Sequence, residues 1–283
     1  MKILITGING QVGHALMQYL TGHELIGLAR QDCDLANLDQ IKNVIDQHQP
    51  ELIINPAAYT KVDQAEDEPE LAFQINRDAP RVMAEKAREY NIPLIHFSTD
   101  YVFDGEKKEA YVETDPTNPL GIYGQSKLAG EEAIQEVGGR IYIFRTSWVY
   151  SNIGHNFYLT MKRLSTERDE LKVVADQLGV PTSNQFIAEQ MKTIIPLLDE
   201  NNTGIYHLVP DGSCSWHEFT KTIINQANPD FNLEKLHAIQ THEFPTKTKR
   251  PKNSILNNAK IKQSFNLTLN NWQAELGKVI DEA

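Results

Sequence analysis

A tyrosine and a lysine four residues apart, Tyr123 and Lys127, are the pair in this sequence best suited to acid–base chemistry. Residues at this spacing lie on one face of a helix, one turn apart. A phenol has an ordinary pKa of about 10, so it is a weak acid at neutral pH. A neighbouring ammonium stabilises the phenolate and lowers that pKa, which makes the phenol a better proton donor. The pair therefore predicts a proton donor and its modulator, with a solvated helical turn as the alternative.

A glycine-rich turn near the N-terminus has the residue types of a dinucleotide site. The apolar strand Lys2–Thr6 leads into it, and apolar residues then recur at helical spacing. Glycines allow the backbone to approach a pyrophosphate, and a helix N-terminus presents free N–H groups to the anion. The residues predicted here to bind a cofactor are Gly7, Asn9, Gly10, Gln11, Val12 and Gly13. Their spacing is Gly-x-x-Gly-x-x-Gly, and an ordinary strand–helix turn is the alternative.

The elements around these residues alternate between strand and helix. Further strands are predicted at 24–28, 52–55, 93–99 and 140–145, with helices between them and one long helix from Leu71 to Ala87. This order is typical of a Rossmann-type doubly wound parallel sheet in an α/β protein. Ligands bind beyond the carboxyl ends of such strands, where Ala58, Thr99 and Trp148 also lie.

Two segments near these strand ends indicate how a cofactor could bind and which one it is. Arg30 follows the second strand, where an arginine suits the 2′-phosphate of NADPH and an acid suits the ribose of NADH. Arg30 therefore favours NADPH, with a solvated surface arginine as the alternative. Small residues after the third strand, from Ala57 onward, let the backbone pack against a cofactor.

The chain of 283 residues is long enough for about two domains or one large α/β unit. Residues 1–150 are predicted to form the nucleotide-binding domain, and residues 151–283 a smaller, mainly substrate-binding α/β region. A helix at about 184–199 is expected to pack back onto the first domain. Beyond it, we expect a strand at 204–209, a capping box at Ser215 with His217 on the surface, and a closing helix at 270–280.

Composition restricts the partners. The net charge of −11 argues against nucleic acid or an anionic membrane as the main partner. The N-terminal apolar run is too short for a signal peptide, and no segment has the apolar length of a membrane span. Cys33 and Cys214 have no metal-ligand spacing, which favours two thiols in a reducing cytoplasm. Lys247, Lys249 and Arg250 form a basic cluster that suits a pyrophosphate, with a solvated loop as the alternative.

Taken in order, these motifs resemble the extended short-chain dehydrogenases/reductases, and within them the dTDP-4-dehydrorhamnose reductase family. The resemblance runs from the first strand to the last helix. The segments that carry it are Ser98-Thr99-Asp100-Tyr101-Val102-Phe103-Asp104-Gly105, residues 119–131 around Tyr123 and Lys127, residues 145–150, Asp176-Gln177-Leu178-Gly179-Val180-Pro181-Thr182, and Arg250-Pro251-Lys252-Asn253-Ser254.

The resemblance implies reduction of dTDP-4-dehydro-L-rhamnose to dTDP-L-rhamnose with NADPH, or possible use of NADH, as the last step of dTDP-rhamnose biosynthesis. It implies catalytic roles for Tyr123 as proton donor, Lys127 as its partner and a ribose ligand, and Thr99 as a ligand of the carbonyl oxygen. The residues that it assigns to the cofactor also include Asp34, Leu35, Ala57, Ala58, Tyr59 and Thr60. Those assigned to the substrate are Thr99, Asp100, Trp148, Gln177 and Arg250. A helix N-cap at Asp34 and a core aromatic at Trp148 are the alternatives.

Two departures from related patterns are informative. Sugar-nucleotide dehydratases carry Thr-Asp-Glu after the fourth strand, whereas Tyr101 stands here at the third position, which favours carbonyl reduction over dehydration. Some reductases of the family have a glutamate that helps hold Mg²⁺ at a dimer interface, and here that position is Ala15. No metal site is therefore predicted, and a monomer or a homodimer is expected.

Two further functions are compatible with the same motifs. The regulatory β subunit of methionine adenosyltransferase resembles this family, so a non-catalytic NADP-binding subunit on this scaffold is one alternative. A reductase or epimerase of another nucleotide sugar is the other, because such enzymes share the Tyr–Lys pair. Neither the nucleobase nor the exact deoxysugar follows from the sequence.

Overall fold

The computed structural model describes residues 1–281, so the last two residues of the predicted 151–283 region lie outside the described part. Its strands, in chain order, are β1 (Lys2–Thr6), β2 (Glu24–Leu28), β3 (Leu52–Asn55), β4 (Leu94–Thr99), β5 (Ile141–Thr146), β6 (Val149–Tyr150), β7 (Leu171–Val174), β8 (Leu178–Gly179), β9 (Thr182–Ser183), β10 (Gly204–His207), β11 (Cys214–Ser215) and β12 (Leu236–Ile239). Its α-helices are α1 (Gln11–Tyr19), α2 (Leu38–His48), α3 (Val62–Ala65), α4 (Pro69–Phe73), α5 (Ala79–Glu89), α6 (Ile122–Val137), α7 (Phe157–Glu167), α8 (Asn184–Ile194), α9 (Trp216–Ala227), α10 (Ala259–Phe265) and α11 (Trp272–Asp281).

Six strands form the central sheet, in the spatial order β10-β5-β4-β3-β1-β2, and all of its pairings are parallel. β3, β4 and β5 are buried along their whole length, as their continuous apolar sequences require in a sheet covered on both faces. The predicted Rossmann-type doubly wound fold is confirmed. Successive crossovers change direction between β1 and β3, and the crevice at this point is where such sheets bind ligands.

Helices cover the two faces of the sheet and bury separate apolar clusters. α1, α8 and α10 pack on one face, where Leu16, Phe186 and Phe265 belong to one core. α2, α5 and α6 cover the other face. Three elements from beyond residue 150, α8, α10 and β10, therefore belong to the layers of the predicted nucleotide-binding half. The division of function at residue 150 stays a prediction.

The long helix predicted from Leu71 to Ala87 is interrupted. A π-helical turn at Gln74–Asp78 separates α4 from α5. The backbone of α6 passes so close to this turn that a Cβ on Gly130 would lie 2.0 Å from the carbonyl oxygen of Asn76. π-helical turns are frequent at functional sites, and this one lies beside the helix that carries Tyr123 and Lys127.

The smaller region is built from short strand pairs and helices. β7 pairs with β12, β8 with β11, and β6 with β9, while α7, α9 and α11 enclose a third apolar core. The predicted capping box is confirmed, because the Ser215 hydroxyl accepts from the Glu218 backbone N–H and the Glu218 carboxylate accepts from that of Ser215. His217 is half-buried rather than on the open surface, with Nε2 3.3 Å from the Leu236 carbonyl oxygen. The predicted bounds of the surrounding elements differ from the observed ones by a few residues.

Both cysteines are free and buried, in agreement with the prediction of two thiols. Burial raises the pKa of Cys33 to about 11, so this thiol is protonated at neutral pH. Within residues 1–281, no helix is both long enough and apolar enough to cross a membrane.

Candidate active site

A cleft of about 670 Å³ opens beyond the carboxyl ends of β1, β3 and β4. It brings together every residue that the sequence assigned to the cofactor. These lining residues are Gly7, Asn9, Gly10, Gln11, Val12, Gly13, Arg30, Asp34, Leu35, Ala57, Ala58, Tyr59, Thr60, Tyr123 and Lys127. The glycine turn and the Tyr–Lys pair, which are more than a hundred residues apart in the chain, thus share one cavity.

The glycine turn has a conformation that only glycines can form. Gly7 has φ +61°, and a Cβ there would lie 2.8 Å from that of Ala57. A Cβ on Gly13 would lie 2.3 Å from the Gly7 carbonyl oxygen. No side chain caps α1, whose N-cap residue is Gly10, so the first N–H groups of the helix face the cleft without a side-chain acceptor. This cradle fits the pyrophosphate of a dinucleotide.

The side chain of Gln11 anchors a loop. Its Oε1 accepts hydrogen bonds from Ser151 Oγ at 2.7 Å and from Asn156 Nδ2 at 3.0 Å. Any contact of Gln11 with a phosphate would therefore come from its backbone. The anchored loop also lines the cleft with Ile153, Gly154 and His155, which the sequence did not indicate. The positive φ of Gly154, +72°, marks a turn, but no local pattern links it to the glycine turn.

Arg30 and Asp34 lie together at the far end of the cleft. The exposed guanidinium Nε of Arg30 is 3.7 Å from Asp34 Oδ2. Asn37, and not Asp34, caps α2, since its side chain accepts from Gln40 N at 3.1 Å. The N-cap alternative for Asp34 is therefore wrong. A cation and a carboxylate at this end can contact a 2′-phosphate and ribose hydroxyls.

Tyr59 is held by partners that the sequence did not indicate. Asn76 in the π-helical turn accepts from Tyr59 N at 2.8 Å and donates to the Tyr59 carbonyl oxygen at 3.1 Å and to Ser126 Oγ at 2.9 Å. The Tyr59 hydroxyl donates to Glu68 Oε2 at 2.6 Å. Burial, followed by Glu68, raises the pKa of Tyr59 to about 12. The turn thus ties the wall of the cofactor cleft to α6.

Tyr123 and Lys127 lie one turn apart in α6, as their spacing predicts. Lys127 is only 2% exposed, and its Nζ donates to the Phe97 carbonyl oxygen at 2.6 Å. The same Nζ lies 3.2 Å from His96 Nε2. Burial lowers the pKa of Lys127 to about 8, with the carboxylate of Glu131 acting in the opposite direction.

The predicted lowering of the Tyr123 pKa by Lys127 is wrong for this structure. Burial of the phenol raises that pKa well above its ordinary value, and the charges of Asp100 and Tyr101 add to the rise. A hydrogen bond with Thr99 is the opposing interaction. The physical reason is that the Lys127 ammonium contacts the Phe97 backbone, while the phenol of Tyr123 is half-buried at the wall of the cleft.

Thr99 and Asp100 follow β4 beside Tyr123. The Thr99 hydroxyl donates to Asp100 Oδ1 at 3.1 Å and accepts from Tyr101 N at 3.2 Å. Asp100 is 2% exposed, and burial raises its pKa to about 6 despite hydrogen bonds from Ser254 and Thr99. A carboxyl group in this position can accept from a sugar hydroxyl when it is ionised.

Trp148 occupies a strained position beyond β5. Its φ is +47°, a value that bulky side chains rarely adopt. Its ring stacks on that of Trp216, with centroids 3.4 Å apart and planes 7° from parallel. The sequence does not indicate Trp216 as a site residue, because the only pattern around it is the N-cap at Ser215. The half-buried Trp148 differs from the core aromatic that was the alternative.

The other two substrate candidates make contacts within the protein. Gln177 is 6% exposed and donates through Nε2 to Thr241 Oγ1 at 3.2 Å. Arg250 lies 3.4 Å from Asp63 Oδ2 in α3, and its charge acts on Tyr101, whose ring centroid is 5.6 Å from that of Tyr123. Arg250 is therefore connected to the Tyr123 end of the cleft.

The segment that carries the basic cluster contacts α3 and the turn that follows it. Lys247 pairs with Asp67, and Thr248 N donates to Asp63 Oδ1 at 3.0 Å. The solvated-loop alternative is wrong for the half-buried Arg250, which pairs with Asp63, whereas Lys247 and Lys249 are exposed to solvent as that alternative describes.

The position that carries a glutamate in some family members is buried here. Ala15 is 1% exposed within the core between α1 and α8. In the described part of the chain, no group of three or more His, Cys, Asp or Glu residues is arranged to hold a metal ion.

Comparison with known proteins gives consistent matches over the whole chain. The family model described as the RmlD substrate binding domain matches residues 1–283. A dTDP-4-dehydrorhamnose reductase of Escherichia coli K12 is 40% identical and covers 100% of this chain and 98% of its own. The crystal structure of a dTDP-4-dehydrorhamnose reductase from Clostridium acetobutylicum superposes with a TM-score of 0.94 at 38% identity, covering 100% and 99% of the two chains. That of the Bacillus anthracis reductase, in complex with NADP, gives 0.93 at 38% identity, with the same coverage.

Proposed function

This chain belongs to the family of the RmlD substrate binding domain, and on that premise we propose that it is an NADPH-dependent oxidoreductase. It reduces the 4-keto group of dTDP-4-dehydro-L-rhamnose and releases dTDP-L-rhamnose, the last step of dTDP-rhamnose biosynthesis. The proposal rests on one observation: the glycine turn, Tyr123 and Lys127 line the same cleft. The similarity to dTDP-4-dehydrorhamnose reductases over the full chain supports the same substrate.

The residues divide the work of carbonyl reduction. When bound, the nicotinamide supplies a hydride to the carbonyl carbon. Tyr123 gives its proton to the carbonyl oxygen as negative charge develops there. The Thr99 hydroxyl, turned away from Asp100 Oδ1, donates its single hydrogen to the same oxygen. When the cofactor is bound, Lys127, as an ammonium, would hold the hydroxyls of the nicotinamide ribose and so position the hydride donor.

We infer that the substrate is bound by residues near Tyr123 that do not line the cofactor cleft. We assign Asp100 to a sugar hydroxyl, Trp148 to the face of the sugar nucleotide, and Arg250 to a phosphate. Gln177 positions the Thr241 segment beside them, because its side chain is bonded to Thr241. Thr99, Asp100 and Trp148 come from residues 1–150, and Gln177 and Arg250 come from residues 151–283, so in this proposal the two regions share the substrate site.

The proposed cofactor is NADPH, with NADH used less efficiently. Arg30 is exposed at the end of the cleft and is available to a 2′-phosphate. The NADP complex of the Bacillus anthracis relative supports this preference. The neighbouring Asp34 can bind ribose hydroxyls, which accounts for residual use of NADH. We place the protein in the cytoplasm, as a monomer or homodimer.

The decisive experiment follows NADPH oxidation with dTDP-4-dehydro-L-rhamnose that the two preceding enzymes of the pathway generate in the same tube. Product identified as dTDP-L-rhamnose would establish both reaction and substrate, and a parallel assay with NADH would measure cofactor preference. Binding of NADPH without turnover would instead support the regulatory-subunit alternative. Turnover only with other 4-keto nucleotide sugars would reassign the substrate.

A further inference from the structure

Four buried polar side chains form a continuous chain beneath the cleft. They come from the end of β1 (Thr6), the end of β3 (Asn55), the middle of β4 (His96) and α6 (Lys127), and none is more than 2% exposed. Thr6 Oγ1 lies 2.6 Å from Asn55 Oδ1, and Asn55 Nδ2 lies 3.1 Å from His96 Nδ1. His96 Nε2 lies 3.2 Å from Lys127 Nζ, which completes the chain.

A neutral Lys127 amine has two N–H groups and one lone pair, and its lone pair is the stronger of the two kinds of hydrogen-bonding group, which favours one arrangement of the hydrogen atoms in this chain. A neutral imidazole has one N–H donor and one acceptor nitrogen. If the Asn55 amide donates to Nδ1 of His96, then Nε2 carries the hydrogen. A neutral Lys127 amine accepts from that N–H through its lone pair and donates to the Phe97 carbonyl oxygen. Thr6 donates to Asn55 Oδ1, and all four side chains are satisfied.

A second arrangement fits when Lys127 is charged. An ammonium has three donors and no acceptor, so it must donate to Nε2 of His96. The ring hydrogen is then on Nδ1, and the Asn55 amide must turn so that its oxygen faces the ring. The amide NH₂ then donates to Thr6, whose hydroxyl accepts equally well. Two complete networks therefore exist, and they differ in the protonated nitrogen of His96.

We propose that His96 is a positioning residue for Lys127 that changes tautomer, while remaining neutral, whenever Lys127 gains or loses its proton. Conversion from the neutral to the charged network takes up one proton from solvent, which accounts for the extra hydrogen on Lys127. The inference rests on the proposed function and deepens it, since it concerns Lys127, which lies one helical turn from the proposed proton donor.

Burial and the neighbouring charges make Lys127, rather than His96, the group that changes its protonation state near neutral pH. Burial, followed by the charge of Lys127, lowers the pKa of His96 well below its usual range, so the ring stays neutral. Glu131, one turn along α6, favours the ammonium but is itself paired with Arg145 of β5 at 2.6 Å. Burial of Lys127 works against the ammonium, which brings its pKa to about 8. The other titratable groups at this end of the cleft are Tyr123, Asp100 and Tyr101.

Nitrogen NMR of the full-length protein labelled with ¹⁵N-histidine tests the proposal directly. The His96 signals are identified by their loss in His96→Gln. We expect Nδ1 to carry the hydrogen at about pH 6.5 and Nε2 to carry it at about pH 9.5, with the change centred near the Lys127 pKa. In Lys127→Met the tautomer should stay the same throughout. An unchanged tautomer in the unsubstituted protein, or a doubly protonated ring, would overturn the proposal.

Kinetics provide a second test that a purely structural role would not satisfy. His96→Leu leaves Lys127 with the Phe97 carbonyl as its acceptor, which disfavours the ammonium. The pH at which kcat falls on the alkaline side of the profile should then be lower by about one unit. His96→Gln can still accept from Lys127 and should restore much of that shift. The matched control is His207→Gln, at a second fully buried histidine, where that pH should stay the same.

The two tests separate the failure of this inference from failure of the proposed function. The NMR measurement needs neither substrate nor turnover, so it stands even if the protein reduces another sugar. A lower melting temperature in His96→Leu, with no change in the pH at which kcat falls, would show that His96 only supports the fold, and the proposal would be rejected.

Discussion

The Tyr123 hydroxyl shows how strongly surroundings determine the chemistry of a single residue. Its spacing from Lys127 is local information, and the helix that places both on one face follows from it. The direction of its pKa shift depends on the protein packed around the phenol and on Thr99, Asp100 and Tyr101. These neighbours include residues that are distant in the chain. The sequence could therefore indicate Tyr123 as the candidate proton donor but could not give the sign of its pKa shift.

Replacing Tyr123 with phenylalanine removes the proton donor and keeps the ring. We expect kcat to fall by about 10²–10⁴-fold, the usual contribution of a general acid. The affinity for NADPH should change little, because the glycine cradle is intact. Steady-state kinetics and a fluorescence titration with NADPH would measure the two effects. Tyr90→Phe, at the half-buried residue that follows α5 and does not line the cleft, is the control. Near-normal kcat in Tyr123→Phe would exclude Tyr123 as the acid.

The pH dependence of turnover should report Lys127. Because burial lowers its pKa to about 8, the ammonium is present below that pH and is lost as the pH rises through it. Tyr123 has a raised pKa and stays protonated over the same range. We therefore expect kcat to fall above pH 8, and a profile that is flat to pH 10 would contradict this account. Lys127→Met should have low kcat without that fall at alkaline pH.

Arg30→Ala should change cofactor preference. Loss of a charged contact to the 2′-phosphate is expected to raise KM for NADPH by about 10–100-fold, while KM for NADH stays within about twofold. Arg81→Ala, which removes an exposed arginine paired with Glu85 on α5, is the matched control. Equal losses with both cofactors would show that Arg30 does not recognise the 2′-phosphate.

The buried Asp100 carboxylate should lower the free energy of unfolding at neutral pH. Its folded-state pKa is about 6, above its ordinary value, so the protonated form stabilises the fold at low pH and that contribution is lost as the pH rises through 6. Asp100→Asn is therefore expected to raise the free energy of unfolding by roughly 1–3 kcal/mol at pH 7 and by much less at pH 4. Urea unfolding at both pH values measures this. A destabilised variant at pH 7 would refute the argument.

At the scale of elements, the close approach of α6 to the π-helical turn joins the catalytic helix to the cofactor cleft. Apolar residues at helical spacing predict a helix from Leu71 to Ala87, and the Tyr123–Lys127 pair is interpreted as lying on a second helix. Both patterns are local. The π-helical turn itself depends on the hydrogen bonds of Asn76 to Tyr59 and Ser126 and on the absence of a side chain at Gly130. Such contacts join segments that the sequence does not place together. The Trp148–Trp216 stack was missed for the same reason.

Gly130→Ala tests that contact. The new Cβ would lie 2.0 Å from the Asn76 carbonyl oxygen, so we expect a loss of about 1–3 kcal/mol in the free energy of unfolding. Gly277→Ala in α11 is the control, because a Cβ there meets no atom within 4 Å. That substitution should be neutral or stabilise the protein by up to about 1 kcal/mol. Thermal and denaturant unfolding of both variants would show whether their signs differ as expected.

At the scale of the whole molecule, the two regions share elements. The central sheet takes its edge strand β10 from beyond residue 150, and the apolar face of α1 is covered by α8. The sequence indicated that α8 packs back, because its apolar spacing is regular. It did not indicate that β10 completes the sheet, since strand pairing is not a local property. The segment around Arg250 adds a further link by docking on α3.

The shared elements also determine the order in which the protein can be completed during synthesis. Five of the six central strands have been made once the ribosome reaches residue 146, yet the core around Leu16 then still lacks Phe186 and Phe265. Until α8 and β10 emerge, the nascent chain carries an uncovered apolar helix and a parallel strand edge at β5. Such surfaces are prone to aggregate and are typical ligands of chaperones. The architecture that joins the two halves in the finished enzyme therefore prolongs the interval in which its first half is vulnerable.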